Sequence, residues 1–288
     1  MLCVDDMSTG SVFNVVDLIG ELDFHLVAHD VRQPLHATCD LIINMASPAS
    51  PPRYQIDPVG TLMTNVMGTK NLLDLAVEQG ARFLQASTSE VYGNPEQHPQ
   101  RESYLGNVNT LGPRACYDEG KRAAETLCAD YRRAHGVNVR IARIFNTYGP
   151  HMAVEDGRVV SNFVVQALEG RDLTIYGDGT QTRSFCYVDD LVRGLVALAD
   201  SDVTVPVNLG NDAELSMLEL ADTIIKLVGS TSRIRFEPLP EDDPQIRRPC
   251  LERAQTLLDY QPRISLEEGI KATASFFDSE LRVPGLAS

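Results

Sequence analysis

The sequence predicts an α/β protein, a doubly wound parallel sheet with a smaller C-terminal lobe. Three observations predict it. Short β-rich runs alternate with longer helical patterns, glycines stand where two of those helices should stop, and the alternation breaks down after Pro150. Strand, helix, strand in this order buries a parallel sheet between helices.

The runs Phe24 to Ala28, Asp40 to Ala46, Arg82 to Ser87 and Val137 to Ile144 read as buried strands. Between them, Thr61 to Gln79 and Arg114 to His135 carry apolar residues at spacings of three and four, and Gly80 and Gly136 stand at the expected helix ends. Ligands of such sheets sit beyond the carboxyl ends of the strands. The residues to read are therefore Asp5 and Asp6, His29 to Val31, Ser47 and Pro48, Ser87 to Glu90, and Phe145 to Thr147. Beyond Pro150, Val188 to Asp200 reads as a helix and Val205 to Leu209 as a strand returning to the sheet. Leu215 to Val228 and Leu266 to Leu281 read as amphipathic helices of the second lobe.

The 288 residues are 43% apolar and carry a net charge of −15. That field repels a nucleic-acid backbone, so no nucleic acid is expected as partner. No apolar run reaches the roughly 20 residues of a membrane helix, and no membrane association is expected. Cys3, Cys39, Cys116, Cys128, Cys186 and Cys250 are scattered without a C-x-x-C pair, which points to reduced thiols in the cytoplasm and to no metal site.

Chemistry concentrates at two places. Tyr117 and Lys121 are four apart at the start of a predicted helix, so they share a face. A neighbouring ammonium is expected to draw the phenol below its ordinary value of about 10 and make it a general base. Taken alone, this pair is a weak signal and reads sooner as a solvated helix face. The run Ala86-Ser-Thr-Ser-Glu-Val-Tyr-Gly93 supplies the context, because hydroxyls followed by a carboxylate at a buried strand's end are costly without a task. Strand-end turn chemistry is its plainer reading.

That run, together with Gly112-Pro-Arg-Ala-Cys-Tyr-Asp-Glu-Gly-Lys121 and Arg143-Ile-Phe-Asn-Thr-Tyr-Gly-Pro150, resembles the UDP-glucuronate decarboxylases (UDP-xylose synthases). These belong to the extended short-chain dehydrogenases/reductases. Ala46-Ser-Pro-Ala-Ser-Pro-Pro52, Asp156-Gly-Arg-Val-Val-Ser-Asn162 and Asp242-Asp-Pro-Gln-Ile-Arg247 share the likeness, which runs from about residue 3 to about residue 280. The resemblance implies a Rossmann-like NAD-binding domain of residues 1–157 with about 186–210, and a nucleotide-sugar lobe of about 158–185 and 211–288. It implies Tyr117 as the base at the sugar 4-hydroxyl, Lys121 as its tuner against the nicotinamide ribose, and Thr88 as a partner of the same hydroxyl. Glu90 would assist proton handling at C5, and Arg247 would steer the carboxylate. Asp5, Asp6, Ser8, Thr9, Gly10, Asp30 and Val31 would line the adenosine side of NAD, with Ala86 near the nicotinamide. Ser47, Pro48, Asn146, Arg158, Asn162, Tyr176 and Arg183 would contact UDP-glucuronate. A homodimer through the Thr61 and Arg114 helices is also implied.

The sequence departs from the family in three ways. The Gly-x-x-Gly-x-x-Gly turn does not occur, and Met1 to Asp6 resembles the end of the family's second strand. Roughly 25 upstream residues, with the strand and helix N-terminus that cradle the pyrophosphate, are therefore expected, and adjacent sheet edges are expected to be exposed. One explanation is a misplaced start in an otherwise complete enzyme; the other is a relative that begins here and has lost activity. The intact downstream set favours the first. Met63 stands where the family has Lys, and Cys250 where it has Asp. The first is expected to weaken anion contacts, the second to loosen the loop of Arg247. A sugar 4,6-dehydratase carries an Asp-Glu pair after the Thr, whereas Ser89 precedes Glu90 here. This favours decarboxylation, with dehydratase, epimerase and a non-catalytic relative as alternatives.

Overall fold

The computed structural model describes residues 1–240 and 246–282. Strands β1 (Leu2–Asp5) and β2 (His25–Ala28) form a two-stranded parallel pair. Strands β3 (Leu41–Asn44), β4 (Arg82–Thr88) and β5 (Val139–Ile144) lie side by side in parallel, and Val207–Leu209 joins the far side of β5. The returning strand is thus where the sequence predicts it. β4 is central, and all but its first residue is buried, as a strand covered on both faces must be.

Helices cover both faces. α1 (Pro51–Tyr54), α2 (Pro58–Met63) and α3 (Thr69–Gln79) lead into β4, and α4 (Ala115–His135) into β5. Asp57 caps α2 by accepting from the Gly60 amide at 2.9 Å, with Pro58 at the first helical position. Residues 64–68, between α2 and α3, form a π turn, so the predicted Thr61–Gln79 helix is continuous but locally widened. Its Gly68 is required, since a Cβ there would stand 2.7 Å from Val31. α3 and α4 end at Gly80 and Gly136 in the left-handed conformation, with φ of 64° and 71°. Leu72, Leu73, Phe83, Cys128 and Ile141 fill the core on this side of the sheet. α6 (Val188–Asp200), reached after α5 (Val159–Leu168), covers the other side through Leu191, Leu195 and Leu198 against Leu84 and Val207.

The second lobe packs α5 with α7 (Met217–Val228) and, beyond α8 (Glu252–Leu258), with α9 (Leu266–Arg282). Phe163, Leu173, Ile175, Ile224 and Phe277 are its centre. Ser216 and Glu219 close α7 with a reciprocal capping box.

One expectation fails here. β2 is not a buried strand: His25, Val27 and Ala28 are exposed, and only Leu26 is half-covered. Its apolar residues read as core, but among the described residues no helix packs extensively on the β1–β2 pair to cover them. β3 is an edge strand among the described residues, and Ile43 and Met45 are exposed beside it, as expected for an open sheet edge.

Candidate active site

A cleft of about 940 Å³ opens where β4 and β5 end against the second lobe. The parallel register places Thr88 beside Ile144, so the residues following β4 and β5 enter the cleft together. Thr88 caps a short 3₁₀ turn over Ser89–Tyr92, its Oγ1 accepting from the Glu90 amide at 3.2 Å. That turn aims Glu90 across the cleft. From the other side α4 presents Tyr117, hydrogen-bonded to Thr88, and Lys121 one turn later.

The electrostatics of this group differ from the sequence expectation. Burial pushes the Tyr117 phenol up to about 12; the Thr88 hydrogen bond opposes this and the Glu90 charge adds to it. Lys121 is not the force that sets it. Its Nζ lies 5.7 Å from the Tyr117 ring centroid and donates to the Ala86 carbonyl at 3.0 Å, and burial lowers it to about 8. Helical spacing puts the two residues on one face, but it does not reveal that both are enclosed, and enclosure disfavours phenolate and ammonium alike.

Glu90 is clamped. Arg247 Nη1 and Nη2 donate to its two carboxylate oxygens at 2.6 and 2.7 Å, and Arg114 Nη2 adds a third bond at 2.8 Å. Burial alone would raise this carboxyl, but Arg247 and then Arg114 outweigh it and hold it at about 2. The clamp thus favours Glu90 as a carboxylate, a form that accepts a proton rather than donating one. Arg247 is brought in by the strand pair Ile246–Arg247 with Thr182–Ser184, in which Arg247 lies opposite Arg183. The rest of its motif, Asp242 to Gln245, lies outside the described residues.

Ser47, Ala86, Asn146, Arg158, Asn162, Tyr176 and Arg183 also line the cleft, whereas Pro48 does not. Ser47 accepts from Asn65 Nδ2 at 3.0 Å, Asn162 donates to the Gly157 carbonyl at 3.1 Å, and Arg158 is paired with Asp156. Asp5, Asp6, Ser8, Thr9, Gly10, Asp30 and Val31 stand apart from the cleft, around the ends of β1 and β2. Asp5 accepts from the Met7 amide at 2.7 Å, and a Cβ on Gly10 would stand 3.1 Å from its carboxylate. Asp6 accepts from the Ser8 amide at 2.9 Å, and Asp30 pairs with Arg32. Val31 is buried among Leu72, Leu73 and Leu75. The Cys250 segment is bracketed by Gln100, which exchanges backbone bonds with Arg248 and Cys250.

Three residues of the site were not singled out by the sequence. Arg114 and Asp118 both stand inside the motif around Tyr117, and Tyr54 closes α1. Tyr54 stacks face to face on Tyr117, centroids 5.2 Å apart at 5°. Asp118 is buried, and its Oδ1 has no hydrogen-bond partner among the described residues. Arg114 and Asp118 were signalled only by position beside a reactive pair, and Tyr54 only by following the Ala46–Pro52 motif.

Residues 21–210 match the NAD dependent epimerase/dehydratase family. The chain is 55% identical to UDP-glucuronic acid decarboxylase 1 of Danio rerio over 96% of its own length, spanning 66% of that relative, just under two thirds. It is 51% identical to UDP-glucuronic acid decarboxylase 6 of Arabidopsis thaliana, over 99% of this chain and 83% of the relative. Among solved structures it is similar to UDP-glucuronic acid 4-epimerase of Bacillus cereus, in complex with UDP-glucuronic acid and NAD. That likeness has a TM-score of 0.86 and 26% identity, covering 97% of this chain and 91% of the other.

Proposed function

This chain belongs to the NAD dependent epimerase/dehydratase family, and from that premise we propose that it decarboxylates UDP-glucuronate to UDP-xylose through a 4-keto pentose. The observation that carries the reading is the placement of two guanidiniums, Arg114 and Arg247, beside the Tyr117–Thr88 pair. A sugar whose 4-hydroxyl meets Tyr117 sets its C5 substituent next to that pair of cations, and a carboxylate is the substituent they suit.

The donor set also fits NAD. Among the described residues the Lys121 ammonium has a carbonyl partner and no carboxylate, which suits ribose hydroxyls, and the loop from Asp5 to Gly10 folds closely around an acceptor carboxylate. Lys121 and Tyr117 would hold the nicotinamide side, with Ala86 beneath, and Asp5, Asp6, Ser8, Thr9, Gly10, Asp30 and Val31 the adenosine side. NAD, when bound, supplies the oxidant for C4 and returns the same hydride. Tyr117 takes the proton of the 4-hydroxyl while Thr88 holds the oxygen. With a ketone at C4 the carboxylate is β to a carbonyl, and carbon dioxide leaves as the electron pair moves onto the ketone oxygen. Tyr117 and Thr88, hydrogen-bonding that oxygen, stabilise the charge until C5 takes up a proton from water, and Tyr117 then returns the hydroxyl proton to the oxygen at C4. Glu90 serves as the fixed anion that orients Arg247. Asn146, Arg158, Asn162, Tyr176 and Arg183 would hold the sugar and diphosphate, with Ser47 and Pro48 at the sugar's far side.

Incubation with UDP-glucuronate and NAD, followed by mass spectrometry, tests the reading. Loss of carbon dioxide supports it. Loss of water would identify a dehydratase, and a product of unchanged mass an epimerase; either would overturn it. We further read the chain as a homodimer, supported by exposed Ile56, Val59 and Met63 on and before α2, which sedimentation at two concentrations would test. Six unpaired cysteines support a reducing compartment such as the cytosol, and thiol titration of the unfolded chain tests that. No helix among the described residues is long and apolar enough to cross a membrane.

A further inference from the structure

The chain between β4 and α4 meets the segment of Arg247 at two places. At the first, Glu90 takes the guanidinium, at 2.6 and 2.7 Å. At the second, Gln100 takes the backbone of the next residue. Its Oε1 accepts from the Arg248 amide at 2.8 Å, and its own amide donates to the Arg248 carbonyl at 2.9 Å. The Cys250 amide then donates to the Gln100 carbonyl at 2.8 Å, so Gln100 pairs with Pro249 as a residue of a parallel strand does. Ile246 and Arg247 themselves pair with Thr182 and Arg183. The backbone that bears Arg247 is therefore held by one strand up to Arg247 and by Gln100 from Arg248 onwards.

Gln100 is held in turn. It is 1% exposed, its Nε2 donates to the Gln97 carbonyl at 2.7 Å, and buried Asn208 donates to its carbonyl at 3.0 Å. Two residues earlier, His98 pairs with Glu214 at 3.0 Å. Glu214 also accepts from the Thr182 hydroxyl, on the strand against which Ile246 lies. The loop is thus tied to the small sheet that carries Arg247. Gln100 does not line the cleft. What it governs is the Cα behind a long side chain, whose planar fork must meet a carboxylate in one orientation. A backbone shift of roughly 1 Å is enough to spoil such a contact.

We propose that Gln100 is a positioning residue for recognition of the carboxylate at C5: by capturing the backbone of Arg248 it fixes where the Arg247 guanidinium stands. This rests on the reading of the substrate as a uronic-acid nucleotide. Without the Gln100 acceptor the buried Arg248 amide has lost its partner, and the segment moves to find another. Preference for a carboxylate over a hydroxymethyl group at C5 then falls, while the nucleotide is held as before. By reciprocity, a carboxylate bound to Arg247 strengthens the hold of Gln100 on Arg248.

The test measures binding of UDP-glucuronate, UDP-glucose and UDP to the protein in the presence of NAD, by calorimetry. Gln100→Met keeps the volume and the backbone bonds and removes only the side-chain acceptor and donor. Its preference for UDP-glucuronate over UDP-glucose is expected to fall about tenfold, the lower end of what a charge-assisted hydrogen bond is worth, with UDP binding unchanged. Added to Arg247→Gln, the same substitution is expected to leave the remaining preference level, since the two residues act as one unit. On the wild type alone, the Arg248 amide is expected to exchange with solvent about tenfold more slowly under saturating UDP-glucuronate than under UDP-glucose. An unchanged preference in Gln100→Met, an equal loss for all three ligands, a further tenfold loss on top of Arg247→Gln, or equal exchange of Arg248 under both sugars overturns the proposal. A wild type without any preference for UDP-glucuronate would instead sink the function from which it starts.

Discussion

The Glu90 carboxylate and the Arg247 guanidinium meet in a two-point pair, 2.6 and 2.7 Å, across 157 residues of chain. The pair is enclosed, and Arg114 adds a second cation to it. A buried charge that loses its partner is costly, far more than the intact pair is worth. Glu90→Gln is therefore expected to lower kcat by about a hundredfold or more, through misdirection of Arg247. Turnover of UDP-glucuronate checks it, with urea unfolding at neutral pH showing a loss of about 3 kcal/mol or more. Retained kcat would mean that Arg247 finds its place without Glu90.

The same clamp makes an acid-stability prediction. The folded value of Glu90, about 2, lies below its ordinary 4.5. Its contribution is therefore complete above about pH 4.5 and fades as pH falls from there towards 2, with a ceiling on the order of 3 kcal/mol. Urea midpoints of wild type and Glu90→Gln should converge over that interval. Parallel lines would assign the acid sensitivity to other carboxylates.

The helices were legible because their signals are local. α6 runs over Val188–Asp200, the span that its apolar spacing predicts, and α3 and α4 stop at Gly80 and Gly136. The π turn at 64–68 was not legible, since Thr64 to Gly68 fit an ordinary helix, and the need for glycine at 68 comes from Val31, 37 residues earlier in the chain. At the site, Thr88, Glu90, Tyr117 and Arg247 converge in the cleft as their motifs suggested. Their charges did not follow from the sequence. Whether Glu90 is a proton donor or a fixed anion depends on two arginines from separate segments, and whether Lys121 tunes Tyr117 depends on enclosure that spacing does not encode.

Tyr117 is expected to behave differently with and without ligands. In the ligand-free protein burial keeps the phenol at about 12, so subtracting Tyr117→Phe from wild type in ultraviolet titration should reveal no tyrosinate below about pH 11. Tyr117→Phe should also lose about a thousandfold in turnover with little change in unfolding midpoint. A tyrosinate already present near neutrality would restore Lys121 as the tuner.

Tyr54 holds the Tyr117 ring by stacking, and its hydroxyl contributes no hydrogen bond within the described residues. Removing a buried hydroxyl that has no partner is nearly neutral or stabilising, so Tyr54→Phe should match or exceed the wild-type melting temperature. Tyr54→Ala removes the stacked face and opens a cavity, at about 3–5 kcal/mol. It should lower kcat more than KM, because the base is then less well aimed. Equal kinetic effects of the two substitutions would assign the role to the hydroxyl.

Behind the cleft a second enclosed ion pair, between Glu125 of α4 and Arg143 of β5, ties the strand of Thr88 to its neighbour β5. Ser87 Oγ donates to Glu125 at 2.5 Å, and Arg143 donates to the same carboxylate at 2.9 and 2.7 Å. Arg143 continues to Tyr92, whose hydroxyl donates to Asn208 at 2.7 Å, and Asn208 donates to the carbonyls of Gln100 and Cys250. Glu125→Leu alone strands the Arg143 charge and is expected to cost about 3–5 kcal/mol in urea unfolding. Glu125→Leu with Arg143→Met removes both charges and should recover much of that loss, because an apolar pair of similar volume often replaces a buried ion pair without penalty. Additive losses in the double variant would show that Arg143 works through Tyr92 rather than through Glu125.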